Sequence, residues 1–210
     1  MRIVIQRAKE ARVSLVEGGL CRDEGCRLER RPTHTPTETQ GETEGAQGET
    51  EGAQGEAEGA QGETRGAQGE AEGSQKETIT GAIGKGLVIL LGVCEEDTEE
   101  DVEWLVRKVA ALRIFDDEAG VMNRSVMDVG GECLVVSQFT LFASYKKGNR
   151  PSWLRAARHE ISVPLYELFC RRLGETIGKP VQTGVFGANM RVSLVNDGPV
   201  TICMDTKNKE

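Results

Sequence analysis

Histidine is almost missing from this chain of 210 residues, which holds only His34 and His159. A Gly-x-Ser-x-Gly string is missing too, so a serine activated by a neighbouring histidine is poorly supported. His159 stands in an Arg158-His159-Glu160 string that reads as solvated surface rather than as a catalytic base. Cys133 falls in an apolar run with no cation beside it in sequence, a poor setting for a thiolate. Long apolar runs are lacking as well. The longest, Leu87 to Cys94, is interrupted by Gly92, against the roughly 18 residues that a membrane helix needs. The first residues enter an alternating pattern at once and show no leader-peptide core. Cys94, Cys133, Cys170 and Cys203 lie singly in apolar stretches, the habit of buried free thiols in a reducing compartment; a cytoplasmic protein is expected. Cys21 and Cys26 form a C-x4-C pair near His34, but a zinc site would need further ligands at suitable spacing. Adventitious thiols in a flexible arm are the plainer reading, and no metal or other cofactor is expected.

What the chain has in excess is a repeat. Residues 41–75 are five consecutive heptads of the form Gly-Glu-(Thr/Ala)-(Glu/Arg)-Gly-(Ala/Ser)-Gln. A coiled coil would need two apolar positions per heptad, and here the only apolar side chains are alanines. Each heptad also carries two glycines, each costing a helix about 1 kcal/mol relative to alanine. Collagen's period of three is absent. With so little apolar surface to offset chain entropy, the tract is expected to be disordered. Its nine glutamates and one arginine give a net −8, equal to the net charge of the whole chain, so the remainder balances 25 acidic against 25 basic side chains. The acidic total therefore does not argue against an RNA partner; local clustering of positive charge decides that.

About 150 residues are left for one domain, a usual size. Ile3 and Ile5, then Val13 and Leu15, alternate with polar neighbours as half-buried strands do. Gly18-Gly19 ends this pattern, and Thr78-Ile79-Thr80 resumes a strand-like pattern roughly 60 residues later. Leu87 to Val93 reads as a buried strand. Asp97-Thr98 caps a helix with Glu99, Glu100 and Asp101 in its first turn and Val102, Leu105, Val106 and Val109 on one apolar face; Trp104 lies off that stripe. A second helix is expected from Val163 or Pro164 to Leu173, with Leu165, Leu168 and Phe169 inward and Gly174 and Gly178 at its frayed end. Met190 to Met204 reads as a β-hairpin-like pair through Asn196 to Pro199.

Two strings carry the most information. Ser137-Gln138-Phe139-Thr140-Leu141 follows the β-like run Cys133 to Val136, and Asn196-Asp197-Gly198-Pro199-Val200-Thr201 follows Met190 to Val195. An isolated Gly-Pro reads as a turn between strands. Together the two strings resemble the D-aminoacyl-tRNA deacylase family in its standard form. Met1 to Ala8, Gly81 to Leu87, Leu112 to Asp116 and Gly184 to Ala188 extend the likeness, which runs from residue 1 to about 18 and from about 78 to 206. The fold expected is a single compact α/β domain, residues 1–210, with mixed and antiparallel sheets and flanking helices. It is interrupted by a disordered insertion, 19–77, in an N-terminal hairpin.

The resemblance implies a homodimer and an editing hydrolase that cleaves the ester of mischarged D-aminoacyl-tRNA, and of glycyl-tRNA mischarged on alanine tRNA. It implies that Ser137, Gln138, Phe139 and Thr140 line the pocket for the aminoacyl-adenosine end. Thr140 is either a pocket contact, the reading adopted, or a nucleophile, since the 2′-hydroxyl of the terminal adenosine is the implied activator of water. Gly198-Pro199 is implied to be cis and to enter the partner's pocket, where rigid carbonyls leave room for hydrogen but not for an L side chain. Arg7 matches a residue that holds this motif, or else is an exposed strand-end cation. Phe186 and Met190 match positions near the adenosine, or else belong to the core. Lys146, Lys147, Arg150, Arg155 and Arg158 follow the first string and either meet the tRNA backbone or form a solvated loop. The arginines at 22, 27, 30 and 31 are weaker candidates. No DNA or membrane partner is expected. The rival reading is a non-catalytic tRNA- or RNA-binding protein that keeps the fold.

Overall fold

In the computed structural model, residues 1–16, 77–146 and 148–209 are described. The heptads at 41–75, the insertion 19–77 except Glu77, Cys21, Cys26, His34, the arginines at 22, 27, 30 and 31, and Lys147 lie outside the described residues.

One long strand organises the sheet. The two alternating segments near the start are a single strand, β1 (Arg2–Leu15), rather than separate pieces. Strands β2 (Thr78–Ile83) and β3 (Gly86–Gly92) run antiparallel along one side of it, pairing Leu15 with Thr78 at one end and Arg2 with Gly92 at the other. After β3 come α1 (Glu99–Ala111), a short pair β4 (Phe115–Asp116) and β5 (Met122–Arg124), then β6 (Glu132–Ser137). A 3₁₀ turn, Phe139–Phe142, and helix α2 (His159–Ile177) follow, then β7 (Gln182–Thr183) and β8 (Met190–Asp205). β6 lies parallel to β3, β7 parallel to β6, and β8 antiparallel to β1 on its other side. The sheet curls until β2 nears β7: a Cβ on Gly81 would sit 2.8 Å from the Thr183 carbonyl oxygen, so only glycine allows this approach.

The two-residue period of the strands divides the core. Leu87, Ile89, Leu91, Cys133 and Val135 face the helices, while Val88, Leu134 and Val136 join Ala8, Ala11 and Val13 inside the curl. β3 and β6 are thus apolar on both faces, as parallel-paired central strands must be. The predicted stripe of α1 is fully buried, each side chain contributing about 1.5–3 kcal/mol. The Asp101 carboxylate accepts the Thr98 amide at 2.9 Å and the Lys207 ammonium at 2.8 Å, tying the helix start to the end of β8. Trp104 is half-buried between Lys108 and Lys209, which lie 5.7 and 4.9 Å from its ring centre.

Four expectations need correction. α2 begins at His159, before the proline: Pro164 forfeits only a bond to the exposed Glu160 carbonyl, which water can meet. Gly174 is inside the helix, where a Cβ would meet the Lys179 carbonyl oxygen at 3.1 Å as the chain folds back; Gly178 alone forms the left-handed cap. Met190 to Met204 is no hairpin, because both halves pair with the same strand, β1. Cys203 is exposed on that strand, unlike buried Cys94 and Cys133.

Candidate active site

The second string sits in an interruption of β8. Gln6 pairs with Thr201 and Ala8 with Asn196, so Arg7 alone faces the four residues Asp197 to Val200. The surplus bulges out as a loop that exposes Gly198 and Pro199, joined by a cis peptide bond. Gly198 has φ +127°, backbone that residues with a side chain rarely adopt. Arg7 is buried beneath it, 6% exposed, not an exposed strand-end cation. Its Nε donates to the Asp197 carbonyl at 3.0 Å; Nη1 donates to the Ile114 carbonyl at 2.7 Å and to Asp116 Oδ1 at 3.2 Å. The Asn196 side-chain oxygen closes the loop by accepting the Val200 amide at 3.0 Å.

The first string borders a cavity of about 500 Å³. Ser137, Gln138 and Phe139 line one side, and Phe186, Asn189 and Met190 the other. Five of the six residues expected to bind substrate are thereby brought together from β6, the 3₁₀ turn and the approach to β8. Thr140 is not among the lining residues; its hydroxyl accepts a short hydrogen bond from Gln138 Nε2. Phe186 and Met190 each line the cavity and also pack against a core cluster. Gly198 and Pro199 do not line their own chain's cavity.

Several lining residues were not foreseen. Tyr166 of α2 donates its hydroxyl to the Val135 carbonyl at 2.8 Å, and burial pushes its phenol well above the usual range. His159, exposed at the start of α2, also lines the cavity and meets the Phe186 ring edge-on at 5.5 Å. Its sequence gave only a charged, surface-like neighbourhood. Ala156, Ala157, Ser162 and Asn189 carry no chemical signature at all. Among the described residues, no hydrogen bond joins His159 to a serine, threonine or cysteine, and Ser162 Oγ donates to the Arg158 carbonyl at 2.9 Å. Cys133 and Cys170 are pushed up to about 12 by burial, which keeps both as neutral thiols.

Beyond the 3₁₀ turn the chain makes a loop closed by paired hydrogen bonds between Ser144 and Ser152, both 2.8 Å. Lys146, Arg150, Arg155 and Arg158 are exposed on or just after it, with Arg158 Nε 3.7 Å from Glu95. Among the described residues, no helix is long and apolar enough to cross a membrane.

The profile of the family described as D-Tyr-tRNA(Tyr) deacylase matches residues 68–205. A D-aminoacyl-tRNA deacylase of Bacteroides thetaiotaomicron is 64% identical over 129 residues, covering 61% of this chain and 86% of its own. One from Chromobacterium violaceum is 63% identical over 131 residues, covering 62% and 87%. A solved structure named c-Myc DNA Unwinding Element Binding Protein superposes with a TM-score of 0.65 at 29% identity, covering 98% of each chain. A probable eukaryotic D-amino acid tRNA deacylase shares the fold, with a TM-score of 0.58 at 14% identity over 97% of each chain. With two thirds of its length inside the profile and its cavity built on the residues that carry the likeness, this chain belongs to the D-Tyr-tRNA(Tyr) deacylase family.

Proposed function

We propose that this chain is an aminoacyl-tRNA editing hydrolase that cleaves the ester of D-aminoacyl-tRNA, and of glycyl-tRNA mischarged on alanine tRNA, and spares L-aminoacyl-tRNA. The membership of the family supports the activity, and the cavity carries the mechanistic reading. Its walls offer aromatic and polar contacts to an aminoacyl-adenosine, and among the described residues they hold no histidine hydrogen-bonded to a serine, threonine or cysteine. Holding the ester and an attacking water in one geometry supplies much of the acceleration, because the entropy of bringing them together is lost on binding. The 2′-hydroxyl of the terminal adenosine then takes the water's proton as the water adds to the carbonyl, and passes its own proton to the departing 3′-oxygen. Water's oxygen ends in the free D-amino acid, and the ribose oxygen leaves as the hydroxyl of the tRNA. Thr140, held by Gln138, positions the polar wall.

Selectivity is assigned to a homodimer in which each Gly198-Pro199 loop enters the other chain's cavity. The loop is exposed, fixed by Arg7 from below, and absent from its own chain's cavity lining, which supports a role in a neighbour. Carbonyl oxygens set beside the substrate's α-carbon would admit hydrogen and exclude an L side chain; a D side chain points away, and glycine has none to reject. Lys146, Lys147 and Arg150 meet the tRNA backbone. The reaction is placed in the cytoplasm, with tRNA and not DNA as the nucleic acid. The heptads at 41–75 are assigned no catalytic part.

The test is ester loss from D-Tyr-tRNA, L-Tyr-tRNA and Gly-tRNA, with a D-Tyr-tRNA ending in 2′-deoxyadenosine and a DNA competitor as controls. Hydrolysis of the D and glycyl esters alone, abolished by the deoxy end and unaffected by DNA, is expected. Equal rates on D and L esters would refute the exclusion mechanism, and binding without turnover of any ester would favour the RNA-binding alternative.

A further inference from the structure

The loop after the 3₁₀ turn carries rings that the proposed reaction has not used. Tyr145 is 78% exposed and Trp153 40% exposed, although large aromatic side chains are ordinarily covered. In the antiparallel bridge, Ser144 lies opposite Ser152, which sets Tyr145 opposite Pro151 and places Trp153 two residues further on. In a regular ladder this register sets Tyr145 and Trp153 on the same face as diagonal neighbours, about 7–8 Å apart. Trp153 in turn meets the Phe139 ring edge-on at 5.3 Å, and Phe139 is itself 55% exposed at the cavity wall. Phe139 at the cavity wall and Trp153 are thus in ring contact, with Tyr145 placed next along the loop by the register of the bridge.

Charge selects the occupant. Lys146 and Arg150 lie exposed on the same loop and Arg155 just beyond it, 5.8 Å from the Phe142 ring, and none of the three meets a carboxylate among the described residues. Uncompensated cations beside exposed rings suit a single-stranded nucleic acid, whose bases stack while its phosphates meet the cations. An apolar protein surface would leave those cations unanswered.

We infer that Tyr145 and Trp153 form a stacking surface for the unpaired bases at the 3′ end of tRNA, just outside the cavity that takes the terminal aminoacyl-adenosine. This inference rests on the proposed deacylase activity and adds a subsite to it. The rings hold bases of any identity, because every base offers a flat face. The subsite therefore improves binding of the acceptor end without choosing among tRNAs.

The experiment compares two substrates, D-Tyr-tRNA and the short ester D-tyrosyl-adenosine, which ends within the cavity. Full-length protein is used, with Tyr145→Ala, Tyr145→Phe and Trp153→Phe variants, and the oligomeric state is measured by light scattering. For Tyr145→Ala, the ratio of kcat/KM on tRNA to that on the short ester falls about tenfold through KM, while Tyr145→Phe and Trp153→Phe retain it. An unchanged ratio for Tyr145→Ala overturns the subsite. So does an equal loss on both substrates, or a change of oligomeric state that accounts for the effect. Failure of the unaltered protein on both substrates refutes the deacylase reading itself, a different outcome.

Discussion

Replacing Arg7 with methionine separates the fold from the orientation of the Gly198-Pro199 loop. The methionine keeps the aliphatic stem and removes the guanidinium. The Ile114 and Asp197 carbonyls then lose donors at 2.7 and 3.0 Å. Leaving a buried acceptor without its partner costs about 1–3 kcal/mol. Ile114 is 6% exposed and bears that full cost, whereas Asp197, 47% exposed at its side chain, lies within reach of water. Asp116 and Asp197 remain solvated, so no charge is stranded. The sum is about 2–3 kcal/mol, within the roughly 5–15 kcal/mol that holds a domain together. The variant should stay folded, with a lower urea midpoint and an unchanged slope. The loop, however, loses the side chain beneath it, and a displacement of about 1 Å in a positioning element costs on the order of a hundredfold in rate. We expect kcat/KM on D-Tyr-tRNA to fall about that much, with Arg7→Lys between the two because an ammonium reaches one carbonyl but not both. The assay pairs urea unfolding with deacylation of D and L esters. A variant with reduced stability and undiminished, fully selective activity would refute the claim that Arg7 orients the loop. Unchanged stability would refute the burial argument.

Four further outcomes follow from the same structure. Gly198→Ala forces a side chain onto backbone at φ +127° and puts its Cβ 2.7 Å from Val200 Cγ2; deacylation should be lost with a stability change of about 1–3 kcal/mol, measured by thermal unfolding. Burial alone would raise the Asp101 carboxyl, but hydrogen bonds from Lys207, Thr206 and the Thr98 amide outweigh it and hold the group well below the ordinary range. Its contribution is therefore complete above the usual carboxylate pKa and lost as pH falls through the depressed one, so Asp101→Ala should lower stability at pH 7 and flatten the acid side of the stability profile. Alkylation of the native protein at pH 8, mapped by mass spectrometry, should label exposed Cys203 long before Cys133, whose thiol is pushed up to about 12. Replacing residues 17–76 with an Asn-Gly turn should give a folded enzyme, because Leu15 and Thr78 are already paired; loss of folding would show that the tract is part of the domain.

Where the sequence pattern was local, it sufficed. The capping of α1 by Thr98, its valine and leucine stripe, and the strands at Leu87 and Cys133 are set by neighbours within a few residues, and each appears where expected. The loop at Asn196 was read as a hairpin because a Gly-Pro between two apolar runs looks the same whether the runs pair with each other or with a third strand. Only β1, nearly 200 residues away, decides that. Pro164 looked like a helix start because it is favoured in a first turn, yet solvent can replace the single bond it removes. Arg7 has the sequence of an exposed cation and is buried between the loop at Asp197 and the segment Ile114 to Asp116, both far from it in sequence. His159 reached the cavity through the placement of α2, a long-range event that two flanking charges cannot reveal.

The Val16 amide donates to the Asn189 carbonyl at 3.3 Å, and Glu77 meets Arg191 Nη1 at 2.5 Å. Asn189 and Met190 wall the cavity, so Val16 and Glu77 are each held within one or two residues of the cavity lining. A change of length between them is therefore anchored beside the cavity lining. The same adjacency makes Glu77 a natural attachment point for an environment-sensitive dye, whose emission would follow tRNA arriving and leaving without any alteration to the cavity wall.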